Sequence, residues 1–166
     1  SKLITQSIKN NFFIIRLGES IVNDDLVNRI YRTSLSNCSL KQQQAALDLK
    51  QRNWPILWAT IRCGTRSWES QASGIAKITN ELKKTYPNIA LIVDGYALPY
   101  DLSYIDKKLQ KLINEELKVT QEIKDSLHES IEMHANVGKP MSESILYSSI
   151  IDLYLAHHGS LQHKIA

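Results

Sequence analysis

The chain has 166 residues, enough for one domain that closes a hydrophobic core without disulfide staples. Its apolar share of 43% and charged share of 22% exclude a disordered body. A formal net charge of +3, with no Lys/Arg stripe interleaved with aromatics, argues against a nucleic-acid partner. The two cysteines, Cys38 and Cys63, are spaced for neither a metal knuckle nor a redox pair. No apolar stretch reaches the ~20 residues of a membrane span, and no signal-peptide pattern opens the chain, so a cytoplasmic location is expected.

Residues 1–53 are the hardest to read. Phe12, Phe13, Ile14 and Ile15 make a short apolar run before Gly18, which suits a strand. Asn23, Asp24 and Asp25 can cap a helix over Leu26, Val27, Ile30 and Tyr31. Residues 41–52 are rich in good helix formers and read as a connecting helix or a linker.

From Trp54 the pattern sharpens. Residues 55–61 form a nearly continuous apolar run, as a strand buried on both faces requires. Gly64 breaks it. Trp68, Ala72, Ile75, Ile78 and Leu82 then repeat at spacings of three and four, which places one apolar stripe on a helix. Tyr86, Pro87 and Asn88 stop that helix, and residues 89–93 make a second buried strand ending at Asp94 and Gly95. Strand, helix and strand with short connections form a βαβ unit with parallel strands. Trp54, Trp58 and Trp68 flank the first strand and are expected to pack in the core.

Residues 96–103 read as a loop. Ile105, Leu109, Leu112, Ile113, Val119, Ile123 and Leu127 carry a helical spacing, and the alternation of Ile131, Met133 and Ala135 allows a third, shorter strand. Residues 138–140 read as a break, Ser142 as an N-cap before a helix through Ile145 and Leu146, and residues 151–156 as another strand. The expected fold is α/β: a Rossmann-like, doubly wound, mostly parallel sheet flanked by helices.

Open α/β sheets bind ligands beyond the carboxyl ends of their strands. Three polar turns occupy such ends. Arg62 and Arg66 flank a Gly-Thr turn before a helix, where guanidinium forks and helix N–H groups suit phosphate oxygens. The alternative is an Arg that braces the turn by pairing with Asp94 or Glu69. Asp94 can hold a ribose hydroxyl or simply start a turn. His157, His158, Gly159 and Ser160 follow a strand and open a helix, which suits close backbone approach to a ligand; a plain tight turn is the alternative. No Walker lysine, GxGxxG or nucleophile elbow is present, so neither a P-loop nor a Ser160–His157–Asp94 triad is favoured. No metal and no cofactor are expected.

The order of these features resembles a known family. A buried strand ends in Arg62 and runs into Cys63-Gly64-Thr65-Arg66-Ser67-Trp68. A later strand ends Val93-Asp94-Gly95. Pro140-Met141-Ser142-Glu143-Ser144-Ile145 follows, and a last strand enters His157-His158-Gly159-Ser160-Leu161. Over residues 54–166 this resembles the C-terminal, nucleotide-sugar-binding half of GT-B glycosyltransferases of the bacterial polysaccharide type. The resemblance implies a donor-binding domain at residues 54–166 with its final helix cut, a nucleotide diphosphate sugar as ligand and a glycan acceptor. It implies that Arg62, Arg66, His158, Gly159 and Ser160 hold the donor phosphates. Residues 1–53 are too few for an acceptor-binding half and read as a linker or the remnant of a preceding domain, so the chain is expected to be a piece of a longer enzyme. A noncatalytic module that keeps the fold is the alternative.

Overall fold

The computed structural model describes residues 13–15, 38–64, 70–98 and 105–155. In chain order these form β1 (Phe13–Ile15), α1 (Leu40–Arg52), β2 (Ile56–Thr60), α2 (Gln71–Thr85), β3 (Ala90–Asp94), β4 (Ala97–Leu98), α3 (Lys107–Ser126), β5 (Glu132–Asn136), β6 (Lys139–Pro140), α4 (Met141–Ser148) and β7 (Leu153–Leu155). Five strands make one sheet in the order β1-β7-β2-β3-β5, and each neighbouring pair is parallel. This is the expected Rossmann-like, doubly wound α/β architecture. No described helix is long and apolar enough to cross a membrane.

The apolar runs of β2 and β3 follow from burial on both faces: all five residues of each strand are buried. Ile56, Trp58, Ala90 and Ile92 face α1 and α4, where Ala46, Leu49, Leu146 and Tyr147 pack. Leu57, Ala59, Leu91 and Val93 face the other way, against Ile75 of α2 and Ile113 and Ile123 of α3. Travel from β2 to β3 to β5 runs in one direction with its helices on one face. The return to β7 reverses direction, and α4 lies on the opposite face, as right-handed crossovers demand.

Residues 41–52 form a packed helix. Its start is fixed by a capping box in which the Gln42 N–H donates to Ser39 Oγ at 3.2 Å and the Ser39 N–H donates to Gln42 Oε1 at 2.8 Å. Gln42 Nε2 also donates to Glu143 Oε1 at 2.7 Å, tying α1 to α4. Through β1 and α1, the first third of the chain contributes to the same sheet and core as the rest.

Three local expectations change. Trp58 is fully buried, but Trp54 is 61% exposed and stands edge-on to Tyr86 instead of entering the core. Ser142 lies inside the first turn of α4, with Pro140 at the cap position, since the fixed φ of proline suits entry into a helix. Segments expected as a loop and a break pair with each other: β4 and β6 form a two-residue parallel ladder beyond the ends of β3 and β5. Trp68 lies outside the described residues.

Candidate functional site

β2, β3, β5 and β7 are parallel, so their carboxyl ends share one edge. The connections leaving β3 and β5 part to opposite faces, which opens a crevice between adjacent strand ends in sheets of this kind. The segments after β2, β3 and β5 build the described part of this edge.

Arg62 stands two residues beyond β2. Its backbone is clamped on both sides by the buried Gln71 side chain at the start of α2: the Arg62 N–H donates to Oε1 at 3.0 Å, and Nε2 donates to the Arg62 carbonyl at 2.8 Å. The ladder continues one step past the strand, with the Ile61 N–H donating to the Asp94 carbonyl at 2.9 Å. The half-buried Arg62 guanidinium forms no ion pair with Asp94 or with any other described residue. The braced turn is therefore not formed between Arg62 and Asp94; its versions through Arg66 or Glu69 lie outside the described residues. Gly64 follows at φ +84°, a conformation L side chains rarely adopt. Gln71 also lines a cavity of about 320 Å³ between the start of α2 and α3, with Ser70, Ser73 and Glu122 among its walls.

On the α4 face, Thr60, Asp94 and Asn136 sit side by side at the ends of three adjacent strands, and all three are buried. Ser144 of α4 reaches down to them, its Oγ donating to Asp94 Oδ1 at 2.5 Å. The Asn136 side-chain amide finds no hydrogen-bond partner among the described residues. Asp94 is thus an internal anchor between β3 and α4.

Glu116 of α3 is only 2% exposed and approaches from the other face. Its Oε2 accepts from the Tyr96 N–H at 2.6 Å. One carboxylate of α3 therefore holds the segment after β3. Burial pushes its pKa above the ordinary value. The Tyr96 N–H and the Arg62 guanidinium pull it back, and the Asp94 charge adds to the rise. Gly95 exists for this contact: a Cβ there would collide with the Glu116 carboxylate and come within 2.9 Å of Val137 Cγ2.

Of the residues singled out from sequence, Arg62 and Asp94 lie at this edge on neighbouring strands. Arg66, His157, His158, Gly159 and Ser160 lie outside the described residues. β7, which leads into the last four, runs beside β2 with Leu155 level with Ala59. Sequence reasoning missed Gln71, Glu116, Asn136 and Ser144. For Glu116 a signal existed, since it falls on the apolar stripe of α3 between Ile113 and Ile123, where a charge needs a reason. Among the described residues no cluster of His, Cys, Asp and Glu could hold a metal ion.

No family model matches the chain, and neither a curated protein nor a solved structure matches it.

Proposed function

We propose that this chain is a donor-binding domain of glycosyltransferase type, which holds a nucleotide diphosphate sugar at the carboxyl edge of its sheet for sugar transfer to a glycan acceptor. The observation that carries this reading is Arg62: its backbone is fixed by Gln71, while its guanidinium is not consumed by an ion pair among the described residues. A fixed main chain with an uncommitted planar cation at a strand end suits a diphosphate, which accepts two parallel hydrogen bonds. In transfer, the bond between the anomeric carbon and the diphosphate oxygen breaks, and negative charge gathers on the leaving diphosphate. A guanidinium there offsets it. Arg66, His158, Gly159 and Ser160 belong to the same reading as further donor contacts by the family resemblance, and His157 by its place in the same turn.

The test is a thermal-shift panel of UDP, GDP, CMP and ADP with their sugar conjugates. A ligand that binds the folded state alone raises stability by RT ln(1 + [L]/Kd). A shift with one nucleotide diphosphate and its conjugates, lost in Arg62→Ala, is the expected result. No shift with any of them at millimolar concentration sinks the donor reading and favours a noncatalytic module built on the same fold.

A further inference from the structure

We propose that Gln71 is a positioning residue for Arg62: its buried amide ties the Arg62 N–H and carbonyl to the first turn of α2, and the guanidinium reaches its ligand from that fixed root. The inference rests on the reading of Arg62 as the donor-diphosphate contact.

Arg62 lies where the sheet stops holding the chain. The Ile61 N–H still donates to the Asp94 carbonyl at 2.9 Å, while the Arg62 N–H and carbonyl bond to no strand among the described residues. The Gln71 amide takes the place of a strand. Its Oε1 accepts from the Arg62 N–H at 3.0 Å, and its Nε2 donates to the Arg62 carbonyl at 2.8 Å. In a parallel ladder one residue likewise gives its N–H and its carbonyl to the same neighbour, but here a single side chain supplies both partners. Only an amide meets both demands at this length: a carboxylate has no donor, and an ammonium has no acceptor. Gln71 is 7% exposed, which keeps water from competing for either bond.

The chain enters α2 through Ser70 at φ 60°, in the left-handed region, and a residue with a side chain is held there by its surroundings at a cost. That cost falls one residue before the clamp. Holding the groups on both sides of the Arg62 Cα fixes the direction in which its long side chain leaves the backbone. A small displacement at that root grows toward the guanidinium, and a two-bond pair with a diphosphate tolerates little of it. A clamp that merely joined the end of β2 to the start of α2 would matter equally with or without the Arg62 side chain. A positioning clamp matters only when that side chain is present.

The experiment is a double-mutant cycle in ligand binding. Gln71→Met removes both bonds and keeps an unbranched side chain that suits a helix. Binding of UDP-glucose and GDP-mannose is measured by titration calorimetry in wild type, Gln71→Met, Arg62→Ala and the double variant. Exchange of the Arg62 amide is followed by NMR in wild type and Gln71→Met. The expected result is conjugate binding at least about five-fold weaker in Gln71→Met than in wild type, with less than about a two-fold difference between Arg62→Ala and the double variant. The Arg62 amide should exchange at least about ten-fold faster in Gln71→Met, measured against the Ile92 amide in the middle of β3. An equal loss of binding in both backgrounds overturns the proposal. So does wild-type affinity in Gln71→Met, or an Arg62 amide no better protected in wild type than in the variant. If neither conjugate binds wild type, or if Arg62→Ala binds like wild type, the donor reading falls and takes the proposal with it. If binding needs Arg62 but not Gln71, the proposal falls alone. Should Gln71→Met fail to fold, Gln71→Asn, whose amide is one carbon too short to keep both bonds, takes its place in the cycle.

Discussion

Ser144 Oγ donates to Asp94 Oδ1 at 2.5 Å, and both residues are buried, so a single hydroxyl fastens α4 to the end of β3. Ser144→Ala removes one donor from a carboxylate that water cannot reach. The expected cost is about 1–3 kcal/mol of folding stability. Urea denaturation reads it directly; an unchanged midpoint would show that the hydroxyl contributes nothing.

Gly95→Ala is expected to destabilise by about 1–3 kcal/mol, the usual range for forcing a methyl into filled space. The new methyl meets the Glu116 carboxylate and Val137 together, and Val137 belongs to the core. Because the collision falls on the carboxylate that holds Tyr96, amide exchange at Tyr96 should accelerate more than at Ile92 in the middle of β3. Equal acceleration at both would mean a global effect without a local one.

Arg62→Ala should leave the melting temperature within a degree or two of wild type, because Gln71 grips the Arg62 backbone and not its side chain. Binding of a nucleotide diphosphate should weaken by roughly ten-fold or more, the loss expected when a charge-assisted pair is removed. Lysine should recover part of it, keeping the charge but not the fork. Titration calorimetry of the three proteins checks this, and an alanine variant that binds like wild type would be incompatible with a diphosphate at Arg62.

His134 stacks on Tyr147 with ring centroids 4.2 Å apart, and its Nε2 is buried without a hydrogen-bond partner among the described residues. Burial, and then the Lys139 charge, hold its pKa below the ordinary 6.5. The folded state therefore takes up its proton later than the unfolded chain as pH falls. The contribution of neutral His134 is present above pH 6.5 and is lost as pH drops from there through the depressed folded value. His134→Phe keeps a ring against Tyr147 and has nothing to protonate. Its stability should fall less than that of wild type between neutral and mildly acid pH, as followed by denaturation at each pH. Parallel losses in the two proteins would assign the acid sensitivity elsewhere.

The sheet was legible where burial is symmetric. β2 and β3 are covered on both faces, so their sequences are continuous apolar runs that no surface element imitates. β5 lies at the sheet edge, and only the alternation of Ile131, Met133 and Ala135 marks it, against the polar Glu132, His134 and Asn136. β4 and β6 left no trace, because two-residue ladders are set by where the longer strands end. At the site, Arg62 and Asp94 could be found by position, since a polar residue closing an apolar run falls at a strand end. Gln71 could not, because its task is to bond the backbone of a residue nine positions away, and no pattern of residue types encodes that. Glu116 was the one missed residue that broke a pattern, a charge within the apolar stripe of α3.

The strand order has a consequence for how the molecule is made. β7 lies between β1 and β2, so among the described strands β1 touches the sheet only through the last one synthesised. On a ribosome, β2, β3 and β5 emerge one after another and each can pair with its predecessor at once. β1 is made before any of them, yet its place does not exist until β7 has slotted in. Of the described strands, the earliest therefore waits for the latest, and its unpaired backbone must be kept from other chains in the interval.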